Sequence, residues 1–196
     1  FLIYNGSQLS NLPSLTNQSY RPSRPFLFSI GVINRKKNFH VLLPLVKNKK
    51  YELLIAGKND DHDYHSYILE SAKKYGVSDS LNLLGTITEG EKAWYFKHCS
   101  AFALASLSEG FGLPVVEAMR MGKPLFLSNR TSLPEIGGDV SFYFNDFTPD
   151  HMQEVFNLGL DRYAKERLEN KIIERATQFS WKKAAQQYWD VYRSLY

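Results

Sequence analysis

Short apolar runs alternate with helical patterns along most of this sequence, and that alternation restricts the chain to one class of fold. Runs rich in Leu, Ile, Phe and Ala fall at 26–31, 51–57, 81–85, 101–105 and 124–128, with a shorter one at 141–144. Each suits a buried strand and is too short for a helix. Between them lie an amphipathic stretch at 38–46, a helix at 64–75 stopped at Gly76, and a short helix at 114–121. Thr88 with Glu91 makes a capping box for another helix running to His98. Farther on, Thr148-Pro149-Asp150 offers a hydroxyl N-cap and a Pro at the first helical position, opening a long helical region that reaches about Gln178. A final aromatic helix follows Ser180, carrying Trp181, Tyr188, Trp189, Tyr192 and Tyr196; such aromatics ordinarily enter a core. Parallel neighbours need a crossover connection, and helical crossovers cover both faces of the sheet. The expected fold is α/β, a parallel sheet with helices on both faces.

A chain of 196 residues fits one domain, at roughly 100–200 residues each. With 43% hydrophobic and 22% charged residues, wholesale disorder and collagen-like repeats are excluded. The lone cysteine, Cys99, excludes an internal disulfide framework and a multi-thiolate zinc site and points to a reducing compartment; burial is its expected state. No apolar run approaches the ~20 residues needed to cross a bilayer. Phe1-Leu2-Ile3-Tyr4 lacks the basic flank and the length of a signal peptide and reads as a short strand. Asn5-Gly6 is a turn pair, and Ser, Asn and Pro dominate up to Pro25, so 1–25 reads as a lead-in. The first residue is Phe and the methionines (Met119, Met121, Met152) lie far inside, so a piece of a longer chain or a processed product is expected. Net charge is +4, from 24 Lys and Arg against 20 Asp and Glu. The excess sits in Arg35-Lys36-Lys37 and in 47–50. That is too slight for a nucleic-acid binder, and the second cluster reads as a solvated helix end.

In open parallel sheets, ligands bind beyond the carboxyl ends of the strands. The stretches in question are 31–38, 57–63, 85–88, 106–113 and 128–133. The most informative runs from Ser108 to Met119, Ser-Glu-Gly-Phe-Gly-Leu-Pro-Val-Val-Glu-Ala-Met. Gly110 and Gly112 remove side chains where the backbone turns tightly or a ligand approaches. Pro114 suits a first helical turn, so free N–H groups around 111–115 are expected to form an anion site fit for a diphosphate. Glu117 is read in the first turn, where a carboxylate accepts two hydroxyls well; Glu109, at the strand's end, faces whatever the loop holds. A Gly-x-Gly alone reads as a tight turn, whereas two acids framing it after a strand point to a ligand. Elsewhere, Asp60-Asp61-His62-Asp63 reads as a solvated loop and helix cap, since adjacent acids point in different directions. His40, His62, His65, His98 and His151 show no metal spacing.

Glu109 and Glu117, with seven residues between them around Gly-Phe-Gly-Leu-Pro, resemble the Glu-x7-Glu signature of retaining glycosyltransferases with two Rossmann-like domains, and within them family four of the sequence classification. Gly31-Val32-Ile33-Asn34-Arg35-Lys36-Lys37-Asn38 is similar to that family's loop after the first strand of its second domain. Further likeness lies in Leu53-Leu54-Ile55-Ala56-Gly57, Leu84-Gly85-Thr86-Ile87, Met121-Gly122-Lys123-Pro124, Leu133-Pro134-Glu135 and Phe179-Ser180-Trp181. Tyr4-Asn5-Gly6 resembles the family's domain junction.

The resemblance implies a Rossmann-like donor-binding domain over 26–178, a junction over 1–25, and a helix over 179–196 that crosses back to a missing N-terminal acceptor domain. It implies that Glu117 holds the ribose of a nucleotide-sugar and that Glu109 lies by the donor sugar in a positioning or electrostatic role, with no obligatory enzyme nucleophile. The backbone of Gly110, Phe111, Gly112 and Leu113 holds sugar hydroxyls and diphosphate, Lys36 and Lys37 neutralise the leaving group, and Thr86 and Ile87 lie by the base. Gly31 and Arg35 complete the expected donor site. Many members carry Arg where this chain has Val32, so which of Arg35, Lys36 and Lys37 touches phosphate stays open. The implied donor is a UDP-sugar or GDP-sugar and the acceptor a glycan or lipid-linked molecule, with no metal, no other cofactor and no nucleic acid. The implied location is cytoplasmic, with peripheral membrane attachment through the missing domain. Two alternatives stand beside this: a non-catalytic nucleotide-binding or interaction module, and a sugar-nucleotide isomerase-like domain, which would want cleft histidines and lacks this loop.

Overall fold

The computed structural model describes residues 1–7 and 18–195. Residues 8–17 of the lead-in, and Tyr196 of the final helix, lie outside the described residues. Six strands form one sheet: β1 (Phe26–Ile30), β2 (Glu52–Ala56), β3 (Leu81–Gly85), β4 (Ala101–Leu104), β5 (Leu125–Ser128) and β6 (Phe142–Phe144). Their order is β3-β2-β1-β4-β5-β6 and every pairing is parallel. The expected α/β sheet is therefore observed. Central strands β2 and β4 are buried along their whole length, whereas edge strand β3 is only half-buried. Continuous apolar runs answer to that, because a strand covered on both faces has no polar side to alternate with.

The helices are α1 (His62–Tyr75), α2 (Glu89–His98), α3 (Leu113–Arg120), α4 (Leu133–Gly137), α5 (Pro149–Glu166), α6 (Glu169–Ala176) and α7 (Trp181–Ser194). Right-handed crossovers decide their faces: connections stepping from β1 towards β3 cover one side, those stepping from β4 towards β6 the other. On the first side, Phe39–Val46 is a 3-10 helix rather than an α-helix, with Pro44 inside it, and α1 and α5 pack against it. On the second, α6 packs on α3. Phe28, Tyr95, Phe96 and Phe102 fill one part of the core, and Phe126, Phe144 and Phe156 another. Each such side chain contributes about 1.5–3 kcal/mol by leaving water.

Local signals behave unevenly. Gly76 caps α1 in the left-handed region, and Thr88 and Glu91 form the expected capping box. Pro149 does open α5, but Thr148 makes no side-chain cap; its hydroxyl donates to Asp146 instead, and so does its backbone N–H. The long helical region breaks at Arg167, which turns left-handed between α5 and α6. Residues 1–4 form no strand. Lys47, Lys49 and Lys50 are exposed, as expected of a solvated end.

Two buried carboxylates hold the lead-in against the sheet. Glu52 accepts from the Tyr20 hydroxyl (2.6 Å) and from the N–H groups of Ser23 and Arg24 (2.9 Å each). Glu91 accepts from Ser19 N–H (2.7 Å) and Thr88 N–H (2.9 Å). Among the described residues, no helix is long and apolar enough to cross a membrane.

The N–H groups of Thr88 and Ser19 pull the Glu91 carboxyl down to about 2, from an ordinary 4.5. Its contribution to stability is complete above the ordinary value and is lost as pH falls through the folded one. Glu91→Gln is therefore expected to cost about 1–2 kcal/mol at neutral pH, with the difference from the parent closing as pH approaches about 2, read by urea denaturation.

Candidate functional site

Because strand order reverses between β1 and β4, the loops that leave them diverge and open a crevice at the carboxyl edge. After β1 the chain makes one 3-10 turn, Arg35–Lys37, with Asn34 capping Lys37 N–H and Asn38 closing it in the left-handed region. Lys37 then reaches across the crevice, its Nζ 2.6 Å from Glu109 Oε1, and both side chains are largely buried. Ser106, just after β4, donates to the same oxygen at 2.7 Å. The two loops also join through their backbones, Leu107 N–H to Lys36 O at 2.8 Å. Gly31 makes the crossing possible, since a Cβ there would lie 2.8 Å from Lys37 Cε.

The loop between β4 and α3 is shaped by contacts from the loop after β5. Thr131 Oγ1 accepts from Glu109 N–H (3.0 Å), and Ser132 Oγ donates to the carbonyls of Glu109 (3.0 Å) and Phe111 (3.2 Å). Gly112, at φ +93°, lets the chain turn sharply into α3. A Cβ on Gly110 would meet nothing within 4 Å, so that glycine keeps open space rather than relieving a clash. Phe111 packs between Tyr4 and Phe179, with ring centroids 6.3 and 5.8 Å away.

The N–H groups of Gly110, Phe111, Gly112 and Leu113 find no acceptor among the described residues. The expected set of free groups is corrected at its far end: Val115 N–H is tied to Gly112 O at 2.9 Å, and Pro114 has none. What remains is a row of four unengaged N–H groups that directly follows Glu109, the partner of Lys37, an arrangement suited to a polyanion.

Glu117 is also corrected, from the first turn of α3 to a turn farther in, the first turn holding no acid. Its Oε1 lies 2.9 Å from Lys92 Nζ, which also contacts Glu89 Oε2 at 2.8 Å. Burial pushes the Glu117 carboxyl up, and Lys92 opposes that push. Exposed Thr86 and half-buried Ile87 lead directly into α2, the helix that carries Lys92, so these two and Glu117 belong to one corner of the crevice.

Of the three cations after β1, only Lys37 joins Glu109. Arg35 is drawn to α1, 4.0 Å from Asp61 and 5.8 Å from the centroid of the Tyr64 ring. Lys36 is exposed, with no ion pair among the described residues. Asp61 caps α1 by accepting from Tyr64 N–H, and Asp60 pairs with Lys58. Cys99 is buried as expected, and burial pushes its thiol up to about 12. Sequence reasoning passed over Ser106, Thr131, Ser132 and Lys92. Ser106, Thr131 and Ser132 fall within the strand-end stretches 106–113 and 128–133, and Lys92 stands three and four residues before buried Tyr95 and Phe96, on the inward face of its helix. The aromatics of α7 are not core; Trp181, Tyr188, Trp189 and Tyr192 are exposed, and Ala184 alone of the described helix is buried.

A sequence model of the family described as glycosyl transferases group 1 matches residues 16–179. Serotype-specific mannosyltransferase WbdA of Escherichia coli is 32% identical over 168 residues, covering 82% of this chain and 20% of WbdA. O-antigen chain mannosyltransferase B of Escherichia coli is 28% identical over 174 residues, 85% of this chain and 45% of that protein. Sucrose-phosphate synthase from Thermosynechococcus elongatus superposes with a TM-score of 0.77 at 22% identity, covering 88% of this chain and 46% of that one. Anabaena HepE, solved with UDP and glucose, gives 0.70 at 19% identity over 87% of this chain and 48% of its own. The two superpositions show a shared Rossmann-like fold. The chain spans less than half the length of each of these relatives.

The two loop glycines should separate in stability. Gly112→Ala is expected to cost about 1–2 kcal/mol, since a side chain is strained at its positive φ. Gly110→Ala, with open space around it, should stay within about 0.5 kcal/mol. Urea denaturation of both variants reads the difference.

Proposed function

The chain belongs to the group 1 glycosyl transferases, and on that footing we propose that it is the C-terminal, donor-binding domain of a retaining enzyme of family four. The enzyme moves a sugar from a UDP-sugar or GDP-sugar to a glycan or lipid-linked acceptor. One observation carries the reading: four unengaged N–H groups lie on a loop framed by two carboxylates, each already held by a lysine, at the strand-order reversal.

In this reading the loop N–H groups of Gly110 to Leu113 and the ammonium of Lys37 receive the diphosphate. Lys36, exposed beside them, adds charge at the rim. Sugar transfer from a nucleotide diphosphate passes through an oxocarbenium-like state while negative charge grows on the departing phosphate. Donors fixed in advance at that position are the largest lever available to the protein. Glu117 accepts the ribose hydroxyls, and Thr86 and Ile87 flank the base. Glu109 lies by the sugar, where its charge favours the oxocarbenium-like state without forming a bond to it. We assign no metal to these steps, because the cations of the chain face the place where the charge develops. The mannosyltransferase relatives favour a mannosyl donor and a role in polysaccharide assembly. The exposed aromatic face of α7 supports a second domain of the same chain that carries the acceptor. Alone, the 196-residue chain then binds nucleotide weakly and transfers nothing.

Isothermal titration with UDP, GDP and their sugars tests this. The folded chain is expected to bind at least one of them. Glu117→Ala should weaken the nucleotide by about tenfold or more, the order of one hydrogen bond to a charged group at about 1.5–3 kcal/mol. Glu109→Ala should weaken it less. Normal binding by both variants contradicts the role assignment, and no binding by the folded parent contradicts the donor site.

A further inference from the structure

Lys92 is turned the wrong way for an ordinary surface lysine. Long cationic side chains on a helix usually run out to water, yet this one points inward from α2 with its side chain only 16% exposed. Burying an ammonium is unfavourable unless it is paired. Its pairing is complete on the protein side: Glu89 Oε2 at 2.8 Å from its own helix, Glu117 Oε1 at 2.9 Å from α3. Glu89 is a solvated rim group, 70% exposed, whereas Glu117 is 13% exposed. The base of the lysine is itself fixed, because the α2 start is held by the Thr88–Glu91 box and by the lead-in at Ser19.

We propose that Lys92 is the positioning residue for Glu117, holding Oε1 so that Oε2 is presented to the ribose diol of a nucleoside diphosphate. This rests on the donor-site reading above. A carboxylate has roughly four lone-pair positions, and the lysine occupies one on Oε1. Glu117 Oε2 has no hydrogen-bond partner among the described residues. A diol offers two neutral donors, so it needs an acceptor that is both charged and aimed. Lys92 supplies both conditions: its charge favours the ionised carboxylate in a half-buried place, and its bond removes the rotation that would swing the acceptor away. Glu89 contacts the lysine from the solvent side, at 2.8 Å.

The test compares the dissociation constant of whichever of UDP and GDP binds more tightly with that of its 2′,3′-dideoxy counterpart. Parent, Lys92→Met, Lys92→Arg and Glu117→Gln are measured side by side. The parent should prefer the ribose form by about tenfold or more, the order expected for hydrogen bonds to a charged acceptor. Lys92→Met should lose most of that preference while its affinity for the dideoxy form stays within about twofold, and Lys92→Arg should restore the preference. If Lys92→Met keeps the preference while Glu117→Gln loses it, the donor site stands and the role of Lys92 is overturned. An equal fall for both ligands in Lys92→Met also overturns it, because that is general damage to the site. If Glu117→Gln keeps the preference, the donor-site reading itself fails, and the Lys92 proposal with it.

Discussion

At the middle of the sheet the chain changes its direction of travel. Having built β2 and β3 on one side of β1, it returns to lay β4 on the other side and then proceeds outward to β6. Because parallel crossovers share one hand, the reversal sends the two sets of helices to opposite faces, and the loops above β1 and β4 part company. Everything else at the site follows from that gap. The loop from β1 brings Lys37, the loop from β4 brings Glu109 and the open row of N–H groups, and an ion pair and a backbone hydrogen bond join the two loops.

Two Lys–Glu pairs, both largely buried, stand in this one crevice. Such pairs are poor investments for stability, since desolvation offsets most of their attraction. Their presence is better understood as preparation for a ligand. In each, a lysine ammonium lies within 2.9 Å of a carboxylate oxygen, and Lys92 contacts Glu89 as well. The loop between them is treated likewise: Thr131 and Ser132 engage the polar groups behind it and leave the N–H groups in front unengaged. On the proposed function, the protein meets much of the ordering cost before the ligand arrives.

What the sequence disclosed, and what it withheld, divides along the range of the interactions. The Thr88–Glu91 box and the Gly76 cap are made by residues a few positions apart, and so were readable in order. The six apolar runs were readable because strands covered on both faces favour apolar side chains throughout, with buried polar exceptions such as Glu52 in β2. Thr148 misled because Asp146, two residues earlier, competes for its hydroxyl and its N–H. The contact of Arg35 was not readable for a different reason: its partner Asp61 arrives from the next crossover, and nothing in the run of three cations marks which one it will meet. Lys92 belongs to the same class, meeting Glu117 across 25 positions. The aromatics of α7 look like core by composition, and only the assembled fold shows them left about half exposed.

The central claim is that the row of N–H groups from Gly110 to Leu113, next along the chain from the Lys37–Glu109 pair, is where this chain receives a nucleoside diphosphate. Amide-resolved NMR of the 196-residue chain during titration with UDP and with GDP reads those groups one by one. The account predicts that the largest shifts fall on Gly110, Phe111, Gly112 and Leu113, with the amides of α7 nearly unmoved. Shifts confined to other parts of the sheet edge, or none at all at millimolar nucleotide, would contradict it.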